Sequence, residues 1–416
     1  MISAASLDYT VNKFFRTSKN ELSYSHEALQ LLLFQDDINH ICTNLVDVQA
    51  AIRKLENVTE SKLLDFNVDK SCIIVMGSKS ARKKANDELE SNPVTLCNKI
   101  MKVVKTEKYL GDYISSEGLA HSVFVTVSKR KPQVMSSIFD IRTILEDCRA
   151  NLVGGLVAGF EMWELSIVPF LLNNSETWVE TEMKTLDILD SIQFMFLRYL
   201  FKTPRTCPKP ALLWESGMLK MSHRIAIKKL LFFHHLINLP CDTLAYEILK
   251  VQESLFYPGL VRECYDLIEH YGLPKPDGLS KTVWKSKVKK CVRTKSRKEL
   301  LTEIEKYRKL DSRTLEKEKF ERKSYIETLN IHDARTKFSL RSKMLNTVKM
   351  NFKGVRQYAE SKWLCDQCKE PDTQKHLLTC VGYSILKIGR DLSKDKEQVE
   401  FYRQIVKLRS RDCTGT

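Results

Sequence analysis

Two constellations in this sequence have the residue types and the spacing to do chemistry. The first is Asp36-Asp37, set between the apolar run Leu31-Leu32-Leu33-Phe34 and the apolar residues Ile38 and Ile41. Apolar flanks bury a strand pair, and a tight turn that aspartate tolerates would project two carboxylates outward. Paired hard oxygen donors of this kind suit Mg2+. Two such ions about 3.5–4 Å apart can activate a hydroxyl nucleophile and stabilise a departing phosphate oxygen. The same doublet also suits an ordinary surface turn or a helix start. The second constellation is Cys365-x-x-Cys368 followed by His376-x-x-x-Cys380. Three thiolates and one imidazole, two from each of two short knuckles, suit structural Zn2+ in a tetrahedral field and leave no open position for catalysis. So short a segment has little core of its own, which couples its folding to the metal. The bland reading is three free thiols beside an unrelated histidine.

The elements that must position these groups follow from periodicity. Leu31–Phe34 and the residues after Asp37 read as two short strands. Val48, Ile52 and Leu55 recur at helical spacing. Cys72-Ile73-Ile74-Val75-Met76, closed by Gly77, reads as a buried strand. Val94 to Val104 reads as a hairpin with Asn98-Lys99 in its middle, and Tyr109 to Ile114 as a short strand pair with a glycine turn. From about Ser122 to His270 the period becomes helical, with apolar faces such as Leu186, Leu189, Ile192, Phe196 and Leu200. Trp163, Trp178 and Trp214 are expected core anchors. Leu273-Pro274-Lys275-Pro276-Asp277-Gly278 is the clearest linker. The stretch from Lys281 to Lys298, which includes Lys287, Lys289 and Lys290, contains many cations and no acid. Mixed charge from Glu299 to Tyr325 then suits a solvated helix, and a charged tail follows the Cys/His segment.

The 416 residues, 43% of them hydrophobic, are enough for two or three globular cores. A formal net charge of +15 points to a polyanionic partner, most simply nucleic acid, although ribosomal and membrane-surface proteins share such a balance. Most of the twelve cysteines are scattered singly, which is unlike a secreted disulfide framework. Asp8, Lys13, Arg16 and Lys19 interrupt the N-terminus, so it lacks the apolar run of a signal peptide. The most apolar stretch, Asn151 to Asn174, carries Glu161 and Glu164, which favours a buried helical segment over a bilayer span. The expectation is an intracellular protein of the cytoplasm or nucleus, with no membrane partner.

Phe34-Gln35-Asp36-Asp37-Ile38 resembles the F/Y-x-D-D box of reverse transcriptases, with Gln35 where non-LTR elements often carry alanine. Asn67-Val68-Asp69-Lys70-Ser71 resembles the N-x-x-K-S motif that follows this box, and Tyr109-Leu110-Gly111 resembles the primer-grip strand. The segments Gly155, Ala158-Gly159, Trp163-Glu164, Pro169, Leu171 to Trp178 and Thr206 to Glu215 look like the thumb of non-LTR retrotransposon reverse transcriptases. Ala334-Arg335-Thr336, Leu340-Arg341, Asn351 to Gly354 and the H-L-L-x-C ending from His376 to Cys380 resemble that family's zinc tail. The resemblance covers nearly the whole chain. It implies an α+β fold in which a truncated polymerase palm (residues 1–118, a small antiparallel sheet plus helix) precedes a mainly α-helical thumb (119–272). A basic linker with a charged helix (273–330), a CCHC zinc segment (331–385) and a charged tail (386–416) complete the expected order.

The resemblance also assigns roles. Asp36 and Asp37 become Mg2+ ligands, Lys70 assists the departing pyrophosphate, and Tyr109, Leu110 and Gly111 place the primer. Cys365, Cys368, His376 and Cys380 hold Zn2+. Lys287, Lys289, Lys290, Arg335, Arg341 and Lys353 become phosphate contacts to an RNA template and a DNA primer or target, with Phe352 or Trp363 available for stacking. The sequence departs from the family in having no Q-G-x-x-x-S-P loop and no earlier aspartate-bearing strand ahead of Leu31, and it shows no endonuclease motif. The expectation is therefore a polymerase fragment incomplete for catalysis on its own. The alternative is a non-catalytic RNA- or DNA-binding protein derived from such an element.

Overall fold

The computed structural model describes residues 31–34, 37–42, 44–61, 63–148, 152–255, 259–307, 310, 315–344, 364–365 and 367–412. These residues are mostly helical with a few small sheets, an α+β architecture. In chain order come β1 (Leu31–Phe34), β2 (Asp37–His40), α1 (Leu45–Ser61), β3 (Cys72–Ile73), α2 (Lys79–Ser91), β4 (Thr95–Leu96), β5 (Lys99–Ile100), β6 (Lys102–Val103), β7 (Thr106–Tyr109) and β8 (Asp112–Ser115). Helices α3 (Leu119–Cys148), α4 (Gly155–Met162), α5 (Val168–Leu171), α6 (Met183–Phe201), α7 (Lys209–Ser216), α8 (Met221–Ile237), α9 (Leu244–Leu255) and α10 (Leu260–Tyr271) follow. The last are α11 (Lys281–Glu305), α12 (Tyr325–Thr328), α13 (Ile331–Arg341), α14 (Gln374–Thr379) and α15 (Asp395–Asp412). The chain divides into two compact units. One comprises Met1–Thr126, Asn174–Thr185 and Lys228–Lys285; the other comprises Val127–Asn173, Leu186–Ile227 and Ser286–Thr416.

In the first unit the expected antiparallel sheet is replaced, among the described residues, by four separate two-stranded ladders. Three are antiparallel, and β3 pairs with β6 in parallel. The strands are too short, and too interrupted by exposed lysines such as Lys99, Lys102 and Lys108, to extend one pleated apolar face. Each hairpin therefore closes on its own turn. Cys97 and Asn98 have φ of 50° and 60°, and Leu110 and Gly111 have 47° and 90°. Two successive positive φ values give the turn twist that matches paired strands. The first of these turns lies one residue earlier than the expected Asn98-Lys99. Lys102 and Val103 leave that hairpin to pair with Cys72 and Ile73, so the expected buried strand from Cys72 to Met76 shrinks to two half-buried residues. Ile52 of α1, Leu89 of α2, Val94 and Leu96 form the core beneath these ladders, with Phe66, Val68, Ile73 and Met101 packed against it.

Trp163 and Trp214 are fully buried and Trp178 is 4% exposed, as core anchors should be. The apolar stretch after Asn151 forms α4, a π-helical turn over Trp163–Ile167, and α5. No helix among the described residues is long and apolar enough to cross a membrane. Two charge-rich stretches are more ordered than their composition suggests. The cationic run and the first of the mixed-charge residues form a single helix, α11. Its Trp284, Val288, Val292, Leu300 and Ile304 recur at multiples of four and are buried, while Lys287, Lys289 and Lys290 face solvent. The charged tail likewise forms α15, which buries Val399, Phe401, Tyr402 and Ile405.

Candidate metal centre

The first knuckle is built by backbone hydrogen bonds around a strained position. The Cys365 N–H donates to the Glu370 carbonyl at 2.7 Å, and the Lys369 N–H donates to the Cys365 carbonyl at 2.9 Å. Lys369 takes φ of 61°, which turns the chain back directly after Cys368. The second knuckle is a helix end. Thr373 caps α14 by accepting from the His376 N–H at 3.1 Å, and the Cys380 N–H donates to the His376 carbonyl at 2.7 Å. That single turn places His376 and Cys380 four residues apart on one face. Gly382 lets the knuckles approach, because a Cβ there would lie 2.4 Å from Cβ of Gln367.

The four ligand atoms lie within 4.8 Å of one another. Cys368 Sγ is 3.2 Å from His376 Nε2 and 3.5 Å from Cys380 Sγ, and Cys365 Sγ is 3.8 Å from Cys380 Sγ. A tetrahedral zinc ion with ordinary bond lengths needs sulfur–sulfur edges of about 3.8 Å and sulfur–nitrogen edges of about 3.6 Å. The donor set and its spacing therefore fit Zn2+. Burial raises the Cys365 thiol, but N–H groups of Gln367 and Cys368 and the His376 ring outweigh it and bring it down to about 7. Cys380 goes the other way, to about 11, through burial and hydrogen bonding with the neighbouring Cys368 thiol. One thiolate discourages the next, so three together require a cation.

This centre is not the coreless knuckle that its length implies. Cys365, Leu377, Cys380 and Tyr383 share one apolar cluster with Leu340 of α13 and with Phe401, Tyr402 and Ile405 of α15. Ion pairs from α13 to α15 close the arrangement: Lys337 to Asp395 at 2.6 Å and Arg403 to Asp333 at 2.8 Å. The metal centre and the charged tail therefore share one core.

The other expected site residues fare differently. Asp37 ends the first hairpin opposite Phe34, which fits the expected strand pair, while Asp36 lies outside the described residues. Lys70 is exposed at the end of a short 3-10 turn, Val68–Lys70, whose cap Asn67 accepts from the Lys70 N–H at 3.3 Å. Tyr109, Leu110 and Gly111 form the end and turn of the β7–β8 hairpin. Asn174 Nδ2 donates to the Leu110 carbonyl at 3.0 Å, and Trp178 Nε1 to Asp112 at 3.4 Å, which ties that turn to residues 174–178. Lys353, Phe352 and Trp363 lie outside the described residues. Among the described residues, the one grouping of three or more metal-ligating side chains is the Cys/His set.

Arg335 and Arg341 both have partners within the protein. Arg335 is 8% exposed, and its Nε donates to the Leu200 carbonyl at 2.9 Å. Arg341 donates to Glu215 at 2.7 Å and to both oxygens of Glu318 at 2.8 and 2.7 Å. Both guanidiniums are engaged by carbonyl or carboxylate oxygens of the protein itself. The partner Glu215 is a buried acid absent from the expectations drawn on sequence. It follows Ala211-Leu212-Leu213-Trp214 and is buried with them, which requires a partner for its charge.

No protein-family model matches the chain, and no curated protein matches it either.

Proposed function

We propose that this chain is a C-terminal portion of an RNA-directed DNA polymerase of the non-LTR retrotransposon kind. In this reading the first ladders are palm elements, the helical middle is a thumb, and the Cys/His core is a zinc-stapled nucleic-acid module. One observation supports it: two short antiparallel strands pair Phe34 with Asp37, a register compatible with an F-x-D-D hairpin. Tyr109 to Asp112, the primer-grip-like segment, forms a second tight hairpin, and its Leu110 carbonyl is held by Asn174 from another family-like stretch. Asp36 and Asp37 are the proposed Mg2+ ligands on the strength of the motif alone, with Lys70 as the proposed assistant to pyrophosphate departure.

A second reading, nucleic-acid binding without chemistry, is favoured by the solvent-facing Lys287, Lys289 and Lys290 and the chain's +15 charge. Primer extension on an RNA template with Mg2+ separates the two, with Asp36→Asn, Asp37→Asn as the control. Synthesis by the unmodified chain and none by the variant supports the polymerase reading. Equal synthesis by both removes the doublet from the mechanism. No synthesis by either, with salt-sensitive RNA retention, favours the binding reading.

A further inference from the structure

The second knuckle runs from α14 into a 3-10 helix, Val381–Lys387. Side chains three residues apart on such a helix lie one above the other. Tyr383 and Leu386 therefore share one face, and Ile385 and the following Ile388 share another. The first face packs into the Cys/His core: Tyr383 is fully buried and Leu386 lies against the same cluster. The second meets water, with Ile385 72% and Ile388 77% exposed. Val381 at the start of this helix is 79% exposed, and Leu378 in the last turn of α14 is 37% exposed. Single exposed aliphatics are ordinary, but four in so short a stretch make an apolar surface. A helix that is apolar toward water as well as toward its core is built to be covered on both sides.

The charge around this surface has one sign. From Gln374 to Arg390 the sequence holds Lys375, Lys387 and Arg390 and no acid. Lys375 lies one turn before Leu378 on α14, and Lys387 shares the Val381 face of the 3-10 helix, so both border the patch. The next acid, Asp391, accepts from the Ser393 N–H at 3.1 Å and pairs with Lys394 at 3.8 Å. A nucleic acid would meet these cations but leave the aliphatics against sugar and phosphate. The stretch offers no ring to stack on a base, since Tyr383 is buried. A bilayer surface would likewise favour aromatic rings at headgroup level. A protein segment with apolar and acidic side chains satisfies both the patch and its rim. The patch has no strand edge to extend, because the Tyr383 N–H donates to the Cys380 carbonyl and the Ile388 N–H to the Ile385 carbonyl, both at 3.3 Å. The partner must then satisfy its own backbone, as a helix does. We infer that this face docks an amphipathic helix of a partner protein whose apolar stripe is flanked by acids. Val381, Ile385 and Ile388 lie under the stripe, and Lys375 and Lys387 meet the carboxylates. Such docking neither needs nor excludes nucleic-acid binding elsewhere on the chain.

The test uses the full chain loaded with zinc and labelled synthetic helices of equal length, read by anisotropy. The first peptide carries leucines along one face between rows of glutamate. The second has lysine in place of each glutamate, and the third spreads the same leucines around the helix. The first should bind, and the other two should bind about tenfold more weakly or worse. Ile385→Ser with Ile388→Ser should weaken the first peptide by about tenfold or more, the loss expected of two aliphatic contacts. Zinc content and hydrogen-exchange protection of α15 should stay unchanged in that variant, because both positions are exposed. Lys375→Glu with Lys387→Glu should reverse the preference, so that the lysine peptide binds more tightly than the glutamate one. Undiminished binding in the isoleucine variant, or equal binding of the first and third peptides, would overturn the docking face. Isoleucine-dependent binding to phosphatidylserine-containing vesicles, with none to the glutamate peptide, would overturn the protein partner in favour of a membrane. No binding to peptide or vesicle would overturn it outright.

Discussion

The Cys/His core and the N-terminal ladders carry their chemistry-bearing residues in opposite ways. In the core, four ligands from two adjacent knuckles converge within 4.8 Å and share an apolar cluster with two helices. In the ladders, each described motif residue sits on its own element: Asp37 opposite Phe34 in the first strand pair, Lys70 in a capped 3-10 turn, and Leu110-Gly111 between β7 and β8. A centre made from neighbouring residues can be built by local hydrogen bonds and a metal. A centre made from separate hairpins needs a shared sheet to hold its parts in register, and the described ladders do not form one. The first kind of site therefore carries its own assembly instructions, whereas the second depends on scaffold.

The largest effect expected is at the metal. Apparent zinc binding contributes about 10–16 kcal/mol in structural sites of this ligand type, comparable with the whole stability of a domain at about 5–15 kcal/mol. Cys365→Ser with Cys368→Ser should abolish stoichiometric zinc and remove hydrogen-exchange protection from α15, while amides of β7 and β8 stay protected. Retained protection in α15 without zinc would show that Phe401, Tyr402 and Ile405 suffice to hold the core. The pH dependence has a fixed sign. The ligands bind zinc only when deprotonated, so zinc should be released as the pH falls and not as it rises.

How much was legible in the sequence follows the same division. The Cys/His cluster was readable because CxxC and HxxxC bring four donors together over one short stretch. The helix through Val48, Ile52 and Leu55 and the turn at Leu110-Gly111 were readable because periodicity and turn chemistry are local. The burial of Arg335 and the pairing of Arg341 were not, because their partners Leu200 and Glu215 lie far away in the chain. A cation at the end of a helix looks the same in sequence whether it faces phosphate or a buried acid. The charge runs misled in a related way. Lysines on α11 conceal a buried stripe headed by Trp284, and the acids and cations of α15 conceal Phe401 and Ile405.

Two substitutions of intermediate effect probe that hidden long-range set. Arg341→Ala removes the ion-pair partner of buried Glu215, which should destabilise the protein by about 3–5 kcal/mol in urea unfolding. The salt slope of RNA binding should stay unchanged; a flatter slope would restore Arg341 as a phosphate contact. Burial opposes the charge on Glu318, but hydrogen bonds from Arg341 and Lys323 outweigh it and hold its carboxyl below the ordinary value of 4.5. A lowered pKa stabilises the fold above 4.5, and that contribution is lost as the pH falls through the lowered value. The acid limb of a stability–pH curve should therefore flatten in Arg341→Ala. Gly217→Ala should cost about 2–4 kcal/mol, because Gly217 takes φ of 66° and a Cβ there would lie 2.3 Å from the Arg322 backbone nitrogen.

The smallest effect separates surface charge from scaffold. Lys287, Lys289 and Lys290 face solvent on a helix anchored by Trp284 and Val288, so replacing all three by glutamine should move stability by no more than about 0.5 kcal/mol per site. Each of these lysines that meets a phosphate should, once neutralised, lower the salt slope for single-stranded RNA by about 0.7. A drop approaching three such steps would make this face a principal binding surface. An unchanged slope would mean that the lysines only keep α11 solvated, and that the +15 charge acts through other surfaces. Paired with Arg341→Ala, the two slopes decide which cations of this chain meet phosphate and which meet its own carboxylates.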